Sequence, residues 1–178
     1  IIIPTYNESE NIEEIINQIL QLDDDNDILV IDDNSPDGTS KIVLNLKKKN
    51  PQKIFLKVRD KKSGLGSAYK MGFMWALQKK YAIIFQMDAD LSHNPNEIIN
   101  LKRLLINKNC DVIIGSRYLN GVSVVNWPLS RIFLSYFANL YVRIITCLPV
   151  KDSTSGFVGY NYESLNSLDI DNIKFIYN

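Results

Sequence analysis

Short aliphatic runs alternate with longer amphipathic segments along this chain, and no other feature limits its fold as much. Residues 28–31 form an unbroken aliphatic run, which is typical of a strand buried on both faces. In residues 11–22 the apolar positions recur at the spacing of one helical face. Strands that alternate with helices predict an α/β fold in which a mostly parallel sheet lies between two layers of helices. The predicted strands are 1–3, 28–31, 54–58, 82–87, 111–115 and 157–160, and the predicted helices are 11–22, 39–49, 67–80, 95–107, 128–148 and 163–168.

The length and composition suit a single compact domain, since the 178 residues are 46% hydrophobic. We expect residues 1–178 to be one domain cut at both ends from a longer protein, because the chain opens within a strand and stops in mid-pattern. A formal net charge of zero argues against a nucleic-acid binder, which needs a basic surface. Cys110 and Cys147 lack the spacing of a zinc site or a disulfide framework, so we expect free, at least half-buried thiols and a reducing, cytoplasmic compartment.

Polar clusters follow several of the predicted strands, at residues 4–8, 32–35, 88–92 and 116–117. In sheets of this class, ligands bind at the carboxyl ends of the parallel strands. The coincidence of polar residues with strand ends therefore predicts a binding site at that edge of the sheet.

Asp88 and Asp90 follow a strongly apolar strand and lie two residues apart. At such a transition both carboxylates can turn to the same face and offer hard oxygen ligands to Mg²⁺ or Mn²⁺. A metal there would bind the two phosphates of a nucleotide and neutralise a leaving diphosphate. Triplets of this kind are also common in surface loops, but the position after a buried strand, beside other polar strand ends, favours a site.

Two further clusters could hold the rest of a nucleotide. Tyr6 can cover a base and Glu8 can hydrogen-bond it, although Glu8 also suits the start of the next helix. Asp33 can accept hydrogen bonds from a base or a ribose. Asp37 is expected to be structural, because an Asp-Gly-Thr sequence can cap the helix that follows.

Other polar residues have simpler interpretations. Gly64-Leu65-Gly66 is a fragment of the dinucleotide-binding pattern that does not directly follow a strand. We interpret it as a helix start, with a flexible glycine loop beside the ligand as the alternative. His93 has no nucleophile pattern nearby and is expected to be a loop residue. Residues 152–156 form a polar loop that either meets an acceptor or simply connects two elements.

Arg117 and Arg131 are candidates for binding phosphate, because guanidinium groups suit phosphate oxygens, but both also fit an ordinary surface. Arg131 lies in the strongly apolar segment 128–148. A spanning helix is disfavoured, since Arg131 and Arg143 would be costly at the centre of a bilayer. A core helix is the simpler alternative, whereas the aromatic residues and arginines favour a helix that lies against a membrane face.

Six strings occur in one order and cover nearly the whole chain. They are 2–11 (IIPTYNESEN), 31–39 (IDDNSPDGT), 64–72 (GLGSAYKMG), 86–95 (QMDADLSHNP), 115–118 (GSRY) and 152–157 (DSTSGF). Together they resemble the family-2 glycosyltransferases of the GT-A fold, a Rossmann-like three-layer α/β/α sandwich, and among them the dolichol-phosphate (polyprenol-phosphate) mannose synthases.

The resemblance implies transfer of mannose from GDP-mannose to a polyprenyl (dolichyl) phosphate, by an enzyme lying peripherally at the cytoplasmic face of a membrane. It implies Mg²⁺ or Mn²⁺ as cofactor, held by Asp88, Asp90 and Ser92. Arg117 and Arg131 would meet phosphate groups and, with Asp90, form the catalytic set. The donor-binding residues that the resemblance implies are Pro4, Tyr6, Glu8, Ile31, Asp33, Asp88, Ala89, Asp90, Ser92, Arg117 and Arg131.

An acceptor phosphate is largely dianionic at neutral pH and therefore needs no catalytic base. The work would then be positioning and charge screening, and a direct displacement would give a β-linked mannosyl phosphate. A sugar hydroxyl as acceptor would require a base, for which Asp152 is the candidate. Two alternatives stay open: a hexosyltransferase that uses UDP-glucose or another UDP-sugar, and a non-catalytic nucleotide-binding or scaffold domain.

Overall fold

The chain folds as a six-stranded sheet with helices on both faces, as the alternation of its segments predicts. In a computed structural model of the chain, the described residues are 1–22, 26–108, 110–116, 129–147, 150 and 152–172, with the backbone alone for residues 129–136 and 171. The strands are β1 (Ile2–Thr5), β2 (Ile28–Asp32), β3 (Ile54–Val58), β4 (Ile83–Gln86), β5 (Val112–Ile114) and β6 (Val158–Asn161). The helices are α1 (Ile12–Leu20), α2 (Thr39–Lys49), α3 (Leu65–Gln78), α4 (Glu97–Asn107), α5 (Leu129–Thr146) and α6 (Tyr162–Ser167), followed by a 3₁₀ turn (Ile170–Asn172).

The sheet has the strand order β3-β2-β1-β4-β6-β5. Strands β1 to β4 pair in parallel, and β6 runs antiparallel to both of its neighbours, β4 and β5. The chain adds β2 and β3 on one side of β1 and then crosses to add β4 on the other side. Loops diverge at such a switch point and leave a crevice at the carboxyl ends of the strands.

Neighbouring residues of each strand pack against opposite helix layers, because side chains alternate across a sheet. Ile3 packs with residues of α1, α2 and α4, whereas Ile2 packs with residues of α3 and α6. Both are at most 1% exposed, and burial of such a side chain stabilises the fold by about 1.5–3 kcal/mol. Two apolar faces explain why the segments of the central strands β1 and β2, residues 1–3 and 28–31, are unbroken aliphatic runs.

Two expectations about exposure are wrong. The apolar run in segment 111–115 predicts a buried strand, but Val112 is 45% exposed because β5 is the edge strand beside β6. Cys110 and Cys147 are free thiols, and Cys147 is exposed rather than half-buried because it directly follows the exposed last turn of α5. Among the described helices, none combines the length and the hydropathy that crossing a bilayer requires.

Candidate active site

The loops after β1, β2 and β4 lie side by side at the carboxyl edge of the sheet. The backbone N–H of Asp33 donates to the carbonyl of Thr5 at 3.0 Å, and that of Met87 donates to the carbonyl of Ile2 at 3.1 Å. These bonds extend the parallel pairing of β1 with β2 and β4 to the strand ends. The expectation that residues 4–8, 32–35 and 88–92 share one edge is therefore confirmed.

Side chains of the β2–α2 loop hold the backbone of the β1–α1 loop. Three consecutive N–H groups of the first loop each donate to a side-chain oxygen of the second loop or of the start of α2. The pairs are Asn7 N with Ser35 Oγ at 3.0 Å, Glu8 N with Thr39 Oγ1 at 3.0 Å, and Ser9 N with Asp37 Oδ2 at 2.9 Å. The loop that carries Tyr6 and Glu8 is thus fixed by the protein itself.

Asp32 and Asp37 build this arrangement. The fully buried carboxylate of Asp32 accepts hydrogen bonds from Thr5 Oγ1 at 2.8 Å and from the Oγ and N of Ser35 at 2.6 and 2.9 Å. Burial acts to raise the pKa of Asp37, but hydrogen bonds, first from Thr39 and then from the β1–α1 loop, outweigh it and lower the pKa to about 2. Asp37 is therefore structural, as expected.

Asp33 forms a buried ion pair that the sequence does not indicate. Its Oδ1 accepts hydrogen bonds from the guanidinium group of Arg59, and its Oδ2 accepts the N–H of Ser63 at 3.1 Å. The same guanidinium group donates to the carbonyl of Gly64 at 3.0 Å and to the hydroxyl of Ser67. Asp33 therefore fastens the segment between β3 and α3 to the end of β2.

Tyr6 and Glu8 line the fixed β1–α1 loop. Tyr6 is 38% exposed, and the ammonium group of Lys62 lies 3.9 Å from the centroid of its ring. This distance is that of a cation–π contact, which brings the segment between β3 and α3 over the same loop. Glu8 is half-buried, and its Oε2 accepts a hydrogen bond from Asn11 Nδ2 at 3.1 Å.

The carboxylates of the site concentrate negative charge around Glu8. Burial is the main cause that raises the pKa of Glu8. The hydrogen bond from Asn11 lowers this pKa, whereas the negative charges of Asp90, Asp37 and Asp88 raise it further. The negative charges of the loops after β2 and β4 therefore act on Glu8, which lies in the loop after β1. Such a field attracts a cation.

Asp88 and Asp90 lie on either side of a residue that faces the core. Ala89 is buried in the cluster with α1 and α4, whereas Asp88 is half-buried and Asp90 is exposed. Asp88 Oδ1 accepts the hydroxyl of Tyr69 at 2.9 Å, and Asp90 Oδ1 accepts the N–H of Ser92 at 3.0 Å. Asp88 thus faces the helix layer of α3, across the sheet from the cluster that holds Ala89, whereas Asp90 is open to solvent.

Gly156 lies directly against Asp88. A Cβ atom at position 156 would lie 1.8 Å from Asp88 Oδ2, closer than any non-bonded contact allows. Only glycine can therefore occupy this position while the carboxylate keeps its place. The polar loop 152–156 returns over the end of β4.

Asn139 ties α5 to this polar loop. Its buried side chain accepts the N–H and the hydroxyl of Ser153 on Oδ1 at 2.7 and 2.8 Å. In the same loop, the Thr154 hydroxyl donates to Oδ1 of the buried Asp152 at 3.2 Å. Asp152 is thus placed inside the loop rather than on its surface.

His93 is a buried link between the loops after β4 and before β6. Ser155 Oγ lies 3.3 Å from His93 Nε2 and donates to the carbonyl of Gly115 at 2.6 Å. The imidazole ring also stacks on Phe157, with the ring centroids 5.4 Å apart. These contacts give His93 a structural role in the loop where the sequence analysis places it.

The chemistry of the site suits a divalent cation that takes ligands from its substrate. Within the part of the chain that the structure describes, no group of three or more His, Cys, Asp and Glu side chains is placed to hold a metal ion. The two carboxylates of Asp88 and Asp90 fit Mg²⁺ or Mn²⁺ bound by one or two carboxylates together with phosphate and water oxygens. Asp90 makes no ion pair within the described residues.

The remaining predicted residues are placed differently. Pro4 is half-buried and pairs in register with Ile31. Because the side chain of Ile31 is fully buried against α3, only the backbone of Ile31 is available to a ligand. Arg117 lies outside the described residues. Arg131 lies in the first turn of α5, where the backbone alone is described.

Comparison with known proteins identifies the family. Residues 1–169 match the family described as Glycosyl transferase family 2. A polyprenol monophosphomannose synthase from Mycolicibacterium smegmatis is 41% identical over 172 residues, which cover 96% of this chain and 64% of that protein. An undecaprenyl-phosphate mannosyltransferase from Micrococcus luteus is 38% identical over 173 residues, which cover 97% of this chain and 70% of that protein.

Solved structures of low sequence identity share the fold. A mannosyltransferase from Pyrobaculum calidifontis, in complex with GDP-Man and Mn²⁺, matches 91% of this chain and 44% of its own with a TM-score of 0.59 at 21% identity. This likeness shows the GT-A fold that the sequence strings imply. With the family match over residues 1–169 and relatives near 40% identity, the chain belongs to glycosyltransferase family 2.

Proposed function

We propose that this chain is the catalytic part of an inverting glycosyltransferase that moves mannose from GDP-mannose to a polyprenyl phosphate. The observation that carries the proposal is the position of Asp88 and Asp90 at the end of β4, where their charges act on Glu8 across the switch point of the sheet. The names of the two curated relatives, which specify mannose and a polyprenyl phosphate, support the choice of sugar and acceptor. The GDP-Man bound by the solved mannosyltransferase supports the choice of base.

In this proposal the guanosine part of the donor lies against the fixed β1–α1 loop. The exposed ring of Tyr6 stacks on the base, and Glu8 accepts hydrogen bonds from the base N–H groups. Asp33 already binds Arg59 and Ser63, but a carboxylate has about four acceptor positions and can also accept a ribose hydroxyl. Pro4 and the backbone of Ile31 form the floor beneath them.

The diphosphate and mannose lie beside the triplet from Asp88 to Asp90, with Ser92 next to it. Asp88 and Asp90 would hold Mg²⁺ or Mn²⁺, and Ser92 is proposed as a further ligand. When bound, the cation supplies the positive charge that stabilises the diphosphate as it leaves. Since two carboxylates are a small ligand set, the site needs the phosphates of the donor to complete it.

The acceptor phosphate is itself the nucleophile. One of its oxygens attacks C1 of mannose while the bond from C1 to the β-phosphate oxygen of GDP breaks, so that the anomeric configuration inverts and GDP departs. A largely dianionic phosphate has no proton to lose, and no catalytic base is required. The burial of Asp152 within its loop fits an acceptor of this kind. Arg117 and Arg131 are proposed to bind the phosphate groups and screen their charges.

We also place the enzyme at a membrane surface, at the cytoplasmic face, because a polyprenyl phosphate resides in a bilayer. The second half of α5 exposes large apolar side chains at positions that include Tyr141, Ile144 and Ile145, which are 64–67% exposed. Exposed apolar patches of this kind mark interaction surfaces. In the proposal this half of α5 lies in the interface, while Asn139 on the same helix reaches the loop that covers Asp88.

A donor screen tests this function. The protein is incubated with a polyprenyl phosphate and radiolabelled GDP-mannose, UDP-glucose or UDP-GlcNAc, with Mn²⁺ or with EDTA, and the label in the lipid phase is counted. We expect label from GDP-mannose alone, and only with Mn²⁺. Label from a UDP-sugar instead would overturn the assigned donor. No transfer from any donor would contradict the proposal and favour a non-catalytic nucleotide-binding or scaffold domain.

A further inference from the structure

Tyr69 forms a hydrogen bond to one oxygen of Asp88 from the helix layer of α3, on the opposite face of the sheet from Ala89. It lies in α3, is 7% exposed, and donates its hydroxyl to Asp88 Oδ1 at 2.9 Å. Its ring stacks on Phe73 with a centroid distance of 6.1 Å, and Phe73 in turn packs edge-on against Tyr160 of β6. Because the ring is fixed by this packing, the hydroxyl is fixed as well.

The Tyr69 hydroxyl donates to Asp88 Oδ1, since a phenol keeps its proton at neutral pH. A buried donor within 2.9 Å of a carboxylate oxygen restricts the rotation of that carboxylate. Tyr69 therefore limits the directions in which Asp88 can present its oxygens.

Gly156 bounds the same carboxylate from the second side. The Cβ of any other residue would lie 1.8 Å from Oδ2 and 2.3 Å from Cγ of Asp88, so the carboxylate would have to leave its position. Two elements far apart in the sequence, α3 and the loop before β6, thus meet at one side chain. A carboxylate contacted on both oxygens has a defined orientation.

From these contacts we infer that Tyr69 is a positioning residue that orients Asp88 toward the divalent cation and the donor diphosphate, and that Gly156 leaves the space this orientation needs. The inference rests on the proposed function, because it assigns a task within the proposed metal and diphosphate site. Partners that orient a metal-binding carboxylate typically contribute about 10- to 100-fold to metal affinity.

The test removes single hydroxyl groups. Tyr69→Phe keeps the ring stacked on Phe73 and removes only the donor to Asp88. Tyr160→Phe is the matched control, since the Tyr160 hydroxyl donates to Oε1 of Gln86, the last residue of β4, at 3.2 Å rather than to Asp88. Two quantities are measured for each protein: Mn²⁺ binding in saturating GDP, from the electron paramagnetic resonance signal of free Mn²⁺, and GDP binding in EDTA.

We expect Tyr69→Phe to weaken Mn²⁺ binding about tenfold or more while GDP binding in EDTA stays at the wild-type level. Tyr160→Phe should match the wild type in both measurements, and Gly156→Ala should weaken Mn²⁺ binding at least as much as Tyr69→Phe. Wild-type Mn²⁺ affinity in Tyr69→Phe would overturn the inference and leave the proposed function standing. Equal loss of Mn²⁺ and GDP binding would overturn it too, since that marks general damage to the pocket. A wild-type protein that binds no Mn²⁺ with GDP would overturn the proposed site itself.

Discussion

At the scale of single residues, the carboxylates near the sheet edge form two groups that differ in how many hydrogen-bond donors of the protein contact them. Asp32 and Asp33 are buried and accept hydrogen bonds from hydroxyl, backbone and guanidinium groups of the protein. Asp90 is exposed, and it accepts the N–H of Ser92 alone among the hydrogen bonds of the described residues. This difference separates the carboxylates that hold the loops in place from the one that most readily meets a cation.

Loss of Arg59 is predicted to destabilise the whole fold. Arg59→Ala leaves the Asp33 carboxylate buried without its counter-charge, because both side chains of the pair are only 8% exposed. Removal of one partner from such a pair costs about 3–5 kcal/mol in the free energy of unfolding, which urea denaturation measures.

Lys53→Ala is the control for Arg59→Ala. Lys53 pairs with Asp27 at 3.9 Å, and the two side chains are 36% and 24% exposed. An exposed pair of this kind contributes about 1 kcal/mol or less. Equal losses in the two variants would contradict the structural role assigned to Arg59.

The sequence indicates Asp88 and Asp90 because their signal is local: an apolar strand followed at once by two carboxylates. It does not indicate Arg59 or Tyr69, because their partners are distant along the chain and meet only when the sheet forms. In the sequence, Tyr69 is merely the residue that stands where a third glycine of a dinucleotide-binding pattern would be. The division of roles between Asp33 and Asp90 likewise depends on neighbours that no local pattern contains.

At the scale of elements, hydrophobic periodicity predicts which segments are helices and which are strands. The predicted ends lie within two residues of the observed ones, as in α3, predicted at 67–80 and observed at Leu65–Gln78. Periodicity does not predict the exposure of β5, because a short apolar run has the same sequence pattern in an edge strand and in a central strand. Both alternatives for segment 128–148 predict an apolar helix, and the exposed side chains of its second half favour the interfacial alternative.

Charges on the exposed face of α5 are predicted to prevent membrane binding. The double variant Tyr141→Glu/Ile144→Glu replaces two side chains that are 66% and 67% exposed. Burial of each in the interface is worth about 1.5–3 kcal/mol, so flotation with phosphatidylcholine vesicles containing phosphatidylglycerol should fall about tenfold or more.

The control for this flotation assay carries the same charges on another helix. Leu104→Glu/Ile106→Glu changes two exposed residues of α4, which are 40% and 60% exposed. It should float like the wild type. If the α5 variant also floats like the wild type, α5 does not contact the membrane.

At the scale of the whole molecule, the sheet topology makes the site. The order β3-β2-β1-β4-β6-β5 puts β1 and β4 side by side, so that the loop with Tyr6 and Glu8 meets the loop with Asp88 and Asp90. The alternation of segments predicts a mostly parallel sheet and a ligand at its carboxyl edge. It predicts neither the strand order nor the antiparallel direction of β6, because local patterns carry no information about pairing partners. The return of Gly156 over Asp88 is a consequence of that antiparallel strand.

The most direct test of the central claim is the Mn²⁺ dependence of GDP-mannose binding, measured by titration calorimetry for the wild type and for Asp90→Ala. Glu163→Ala is the control, since Glu163 is an exposed carboxylate in α6, at the opposite edge of the sheet. The account predicts that Mn²⁺ tightens binding to the wild type and to Glu163→Ala. Asp90→Ala should keep the circular dichroism spectrum of the wild type. Its affinity for GDP-mannose should be the same with and without Mn²⁺, and should equal the affinity that the wild type has in EDTA. A folded Asp90→Ala protein that keeps the full Mn²⁺-dependent gain would contradict the claim.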